Sequence, residues 1–182
     1  MSFKYLGALF LAVLSPLCLA EDGIAQAKTF DDLYRSLCLK NINSLTKLKE
    51  QLALTPQMSP EQSRQVLRGA KGFAWRIPSD EGAFILSLED KRPVCTVMAH
   101  HADAKTVEEL FLKLVNAPIT PLEAKQVSSR EDKTKANGTA RTLTYEWQAK
   151  QGKHKLVFVL STSSYPKADL QAFASVSLVS EQ

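Results

Sequence analysis

The hydrophobic positions of this chain change period about a third of the way along. Before Gly72 they recur at helical spacing, and the clearest stripe is Phe30, Leu33, Tyr34, Leu37 and Cys38. Residues suited to helix N-caps precede three such stretches, at Thr29, at Asn43 or Ser44, and at Ser59. The pattern therefore predicts three short helices at the start of the fold.

From Gly72 onward the period is mostly two, which is typical of strands. One set of alternate positions is aromatic or aliphatic: Phe73, Trp75, Phe84, Leu86, Cys95, Val97, Tyr145, Trp147, Leu156, Phe158 and Leu160. A further helix is predicted from Asp103 to Val115, and Asn137-Gly138 predicts a tight hairpin. We expect an α+β fold, in which an antiparallel sheet of about six strands follows the N-terminal helices and carries helices on one face.

The other set of alternate positions mixes apolar and small polar residues: Ile85, Val94, Met98, His100, Thr144, Glu146, Val157, Val159, Ser175 and Ser177. An antiparallel sheet can leave one face to water, but several of these side chains are more apolar than solvent requires. If the last helix does not cover this face, it is a candidate binding surface made of Ile85, Met98, His100, Glu146, Val157 and Val159.

Residues 1–20 have the build of a secretory signal peptide. Lys4 precedes an apolar run from Tyr5 to Leu14, and small residues then lead to a predicted cleavage site after Ala20. The mature chain would be one domain, residues 21–182, located in the periplasm. No other apolar run approaches the roughly 20 residues needed to span a bilayer.

Net charge and cysteine content limit the classes of partner and the compartment further. Loss of Lys4 would change the formal charge from +4 to +3, which is too mild a balance to indicate nucleic-acid binding. The mature chain would keep two cysteines, Cys38 and Cys95, in an oxidising compartment. A structural disulfide joining the first helix to a strand is the simplest prediction.

Catalytic motifs are absent from the sequence. It has no Gly-x-Ser-x-Gly, His-Glu-x-x-His, Cys-x-x-Cys or glycine-rich phosphate loop, and only seven glycines in all. His100-His101-Ala102-Asp103 resembles part of a metal site but lacks a third ligand, so we predict no metal and no cofactor. A hydrolase that uses His100 or His101 remains an alternative.

A second surface feature is a cluster of basic residues around a predicted turn: Lys150, Lys153, His154 and Lys155. It could contact an acidic partner, although a solvated hairpin tip explains the same residues.

The order of these features resembles small uncharacterised exported proteins of Gram-negative bacteria that carry one helix-to-strand cysteine pair. The resemblance implies no activity. Together with export and the missing catalytic motifs, it leads us to expect a non-enzymatic periplasmic protein that binds another exported protein, as an accessory factor or a toxin-immunity protein. A small-ligand carrier is the other alternative.

Overall fold

The structure is a computed structural model that describes residues 17–135 and 138–180. Its α-helices are α1 (Leu17–Leu33), α2 (Leu45–Gln51), α3 (Pro60–Val66) and α4 (Ala104–Val115), and a π-helical segment, Tyr34–Leu39, continues α1. The strands are β1 (Gly72–Ile77), β2 (Phe84–Glu89), β3 (Val94–Ala99), β4 (Glu123–Thr134), β5 (Gly138–Gln148), β6 (His154–Ser163) and β7 (Ala172–Ser180). None of the described helices is both long and apolar enough to cross a membrane.

The strands form one antiparallel sheet in the order β1-β2-β3-β7-β6-β5-β4. The predicted α+β class, with helices before the sheet, is confirmed. The sheet has seven strands rather than about six. The strand that hydrophobic periodicity does not reveal is β4, because all of its side chains are exposed and no alternation marks its faces.

The first helix begins earlier than predicted. Thr29 lies inside α1 and is not an N-cap, because the helix already runs from Leu17. The predicted cleavage site after Ala20 lies within this helix, whereas the predicted signal-peptide core falls on residues 1–16, outside the described residues. The inward residues Phe30, Tyr34 and Cys38 recur every four positions and are buried.

One face of the sheet, which we call the helical face, packs against α1, the π-helical segment and α4. The core contains most of the predicted inward set of strand residues together with Phe30, Val107 and Phe111, while Phe73 and Leu156 of that set are half-buried and pack against it. Phe111 meets Tyr145 edge-on with ring centroids 6.1 Å apart. The apolar side of α4 packs against the helical face, so α4 does not cover the opposite face of the sheet.

The predicted disulfide is present and joins these layers. Cys38 of the π-helical segment is bonded to Cys95 of β3, and the two Cα atoms are 5.3 Å apart. Both residues are fully buried in the core. The bond therefore fixes the end of the first helical stretch to β3, an inner strand of the sheet.

The short helix α3 has the N-terminus that its sequence predicts. The Ser59 hydroxyl accepts a hydrogen bond from the Gln62 backbone N–H, and the Gln62 side chain accepts one from the Ser59 N–H. The helix ends in an αL residue, Arg68, with φ 51°. The Arg68 and Gly69 N–H groups donate back to the Gln65 and Arg64 carbonyls, which completes a Schellman-type C-cap.

Candidate functional site

The second face of the sheet, opposite the helical face, carries a groove of about 870 Å³. Its floor follows one row of directly paired residues across six strands: Ile85, Met98, Phe173, Ser161, Thr142 and Arg130. Neighbouring strands lie about 4.8 Å apart, so this row is about 24 Å long. The groove thus runs across the strands rather than along them.

The composition of the floor changes along the groove. The half on β2, β3 and β7 is apolar, with Ile85, Met98 and Phe173 side by side, while Val159 adds a further apolar contact from β6. Met98 is buried, whereas Ile85, Phe173 and Val159 are only half-buried. An apolar surface of this kind, left partly in water, is typical of a binding site.

The other half of the floor is polar. The Thr142 and Ser161 hydroxyls are hydrogen-bonded to each other at 2.8 Å. Beyond them, the Arg130 guanidinium lies 3.4 Å from the Asp132 carboxylate, and both residues line the groove. The groove is therefore amphipathic along its length, with an apolar end and a hydroxyl-rich, charged end.

The C-terminal end of α3 forms the wall at the apolar end. Val66 and Arg68 line the groove there, and the Arg68 guanidinium lies 5.9 Å from the centre of the Phe173 ring. Arg68 adopts a left-handed backbone conformation that is unfavourable for a residue with a Cβ atom. The position is nevertheless occupied by arginine, whose long side chain reaches the Phe173 ring.

The six residues predicted as a binding surface are only partly brought together. Ile85, Met98, His100 and Val159 line the groove, whereas Val157 and Glu146 lie on the same face outside it. Glu146 forms an ion pair with Lys155, with 2.9 Å between Oε1 and Nζ.

The sequence missed several groove residues. These are Thr142, Ser161, Phe173, the α3 end, and the β4 residues Arg130 and Asp132. Phe173 could have been found, because it alternates with the inward residues Ala172 and Ala174. The β4 residues carry no such signal, since the strand is polar on both faces.

The two adjacent histidines do not form a joint site. His100 lines the groove, while His101 is exposed and its backbone N–H donates to the Gln26 side-chain carbonyl at 2.7 Å. Their ring centroids are 6.4 Å apart. Within residues 17–135 and 138–180, no three His, Cys, Asp or Glu side chains are grouped to hold a metal ion.

Carboxylates lie beside part of the basic cluster around the β5–β6 turn. Lys155 contacts Glu146, and Lys150 Nζ lies 3.3 Å from Glu123 Oε1. The His154 ring is hydrogen-bonded to the hydroxyl at the end of β7, whereas Lys153 is exposed. The carboxylates offset part of the positive charge, so this tip is a weaker candidate for an acidic partner than its sequence suggests.

Comparison with known proteins gives no relative from which a function could be transferred. No family model, no curated protein and no solved structure matches the chain. Function therefore has to be argued from the geometry of the groove.

Proposed function

We propose that this protein is a non-enzymatic exported protein that binds a segment of another exported protein in the second-face groove. One observation carries the proposal: Ile85, Met98 and Phe173 form a continuous apolar floor that α4 leaves uncovered. Export is supported by the predicted signal peptide and by the buried disulfide, which suits an oxidising compartment.

The openness of the groove favours a protein segment over a small molecule. Small-molecule sites typically bury 70–90% of the ligand surface. Here the floor is one face of a sheet, and Ile85, Phe173 and Val159 are only half-buried. A partner protein can cover such a floor because it brings its own bulk and excludes water around the contact.

The length and polarity of the groove indicate the kind of segment. About 24 Å accommodates roughly seven residues of extended chain at 3.4 Å each. Apolar side chains would lie over Met98 and Phe173, and polar groups would meet Thr142, Ser161 and Arg130. Either an accessory factor or a toxin-immunity protein could use a rigid, disulfide-linked surface in this way.

A small-ligand carrier is the second candidate, because the volume of the groove is within the range of small-molecule sites. The two candidates differ in which molecule they bind from the extract. A carrier would bind a small compound, which would raise the melting temperature of the carrier, and it would retain no protein.

Paired baits on β6 test the proposal. Val159 and Val157 are both half-buried on the second face, two residues apart, but only Val159 lines the groove. Oxidised wild-type, Val159→Glu and Val157→Glu baits are incubated with periplasmic extract of the native organism. We expect one stoichiometric protein on the wild-type and Val157→Glu baits that is lost from the Val159→Glu bait. Equal retention by all three baits would overturn the groove as the site.

A further inference from the structure

The two edge strands of the sheet differ in whether their outer side is paired with another chain segment. Along β1, residues 56–58 act as an added partner: Met58 N–H donates to Ala74 O at 2.8 Å, and Arg76 N–H to Pro56 O at 3.0 Å. At the other edge, β4 has β5 on its inner side and no strand on its outer side within the described residues. A twelve-residue edge strand of this kind is a template for pairing with another chain.

The charges of β4 are balanced along the strand. Three are acidic and three basic, and all are exposed: Glu123, Glu131 and Asp132 against Lys125, Arg130 and Lys133. Lysine on an edge strand opposes pairing with an unrelated strand. A partner with the matching order of opposite charges escapes that penalty, and specificity arises from this difference.

The pairing with β5 determines which β4 residues share a face. The register shifts by one residue at Val127, so the alternation of faces changes there. Lys125, before the shift, lies opposite Glu146, which is four residues along β5 from the groove residue Thr142 and on the same face. Asp132, after the shift, lines the groove. Lys125 and Asp132 are therefore both on the second face.

We propose that the outer edge of β4 pairs antiparallel with β4 of a second copy of this chain, about a twofold axis at Ser129. The axis is perpendicular to the sheet, so each face continues into the same face of the partner. Val127 forms a bulge in both strands. The opposed residues are then Ser129 with Ser129, Ser128 with Arg130, Gln126 with Glu131, Lys125 with Asp132, Ala124 with Lys133, and Glu123 with Thr134.

This register is favourable for charge. By symmetry it contains two Lys125–Asp132 pairs, and no two like charges stand directly opposite each other. Opposite charges across neighbouring strands stabilise pairing, whereas like charges directly opposite destabilise it. An isologous contact of this kind closes as a dimer and leaves no further β4 edge to extend.

The dimer also connects the two grooves. Each groove ends on β4 at Arg130 and Asp132, close to the twofold axis, and both grooves lie on the same side of the joined sheet. A fourteen-stranded sheet would then present one continuous groove across two copies. The inference rests on β4 alone and does not depend on what the groove binds.

Complementary charge reversal tests the proposal. The oxidised protein is followed by sedimentation velocity from about 1 µM to about 1 mM, a range that covers weak to moderate dimers. Wild type should show a monomer–dimer equilibrium. Lys125→Glu alone and Asp132→Lys alone should each weaken it by about tenfold or more, because two attractive pairs become repulsive. An equimolar mixture of the two variants should form a heterodimer, since both of its pairs are again opposite in charge.

Lys133→Glu is the matched control. It makes the same charge change on the same strand, but its predicted partner is Ala124, so self-association should stay close to wild type. Unchanged melting temperatures show that the variants fold. A wild-type protein that stays monomeric throughout overturns the proposal. So does a dimer that Lys125→Glu leaves intact, or a mixture that fails to associate.

Discussion

At the scale of single residues, Tyr34 links the helical layer to the sheet. Its hydroxyl donates a hydrogen bond to the Ser175 backbone carbonyl at 2.9 Å, and the ring is almost fully buried. Burial raises the pKa of the Tyr34 hydroxyl well above its usual value of 10.0, and the Asp31 carboxylate adds to the rise. Ionisation inside the core is therefore strongly disfavoured.

Replacement of Tyr34 by phenylalanine should reveal what the buried hydroxyl and its hydrogen bond contribute to stability. Near pH 7 the Tyr34→Phe variant should lose about 1 kcal/mol of unfolding free energy, the typical net value of one hydrogen bond. Because the folded pKa exceeds the unfolded one, the stability from Tyr34 is fully present below pH 10 and falls as pH rises further. Urea unfolding at neutral and alkaline pH should show the two proteins converging. A difference that stays constant with pH contradicts this account.

The elements next to the groove depend on local signals. The capping box at the start of α3 satisfies backbone groups of a helix only seven residues long, and α3 then carries Val66 and Arg68 to the groove wall. Short helices have little stability of their own, so caps and packing largely decide whether they form.

Removal of this cap is expected to cost about 1 kcal/mol in Ser59→Ala, because the Gln62 N–H loses its acceptor. Ser59→Asp is the control, since a carboxylate is an equally good N-cap acceptor. Chemical unfolding measures both variants. If Ser59→Ala matches wild type, the capping box does not contribute to the stability of the fold.

The disulfide acts on a larger element, the chain between the π-helical segment and β3. It closes a separation of 57 residues, for which the chain-entropy model gives about 4 kcal/mol. The Cys38→Ala/Cys95→Ala double variant should lose about that much unfolding free energy in urea. Dithiothreitol should destabilise wild type and leave the double variant unchanged. Equal stability without reductant would show that the bond restrains the unfolded chain very little.

For the whole molecule, the sequence predicts the fold class well because packing dictates its periodicity. The hydrophobic alternation of Trp75, Leu86 and Phe158 identifies the helical face, and one cysteine pair links it to the first helix. The two strongest helix signals, at Ser59 and Asp103, are local and therefore also readable. These features depend on residues close in sequence or on burial, and both are visible in the amino-acid sequence, as capping motifs and as hydrophobic periodicity.

The groove was predictable only in part. Its apolar floor leaves a signal in Ile85, Met98 and Val159, which are too hydrophobic for an ordinary solvated face. Its polar end depends on β4, and the position of that strand at the far edge of the sheet is determined by tertiary strand pairing. A strand exposed on both faces has no hydrophobic period, so sequence alone could not place Arg130 or Asp132 beside the floor.

The most direct test of the groove as a docking site is site-specific photo-crosslinking in living cells. A benzophenone amino acid is placed at Val159 in one strain and at Val157 in another, and adducts are identified by mass spectrometry. We expect one partner protein crosslinked through Val159 and absent, or much weaker, through Val157. Equal adducts at both positions, or none at Val159, would contradict this expectation.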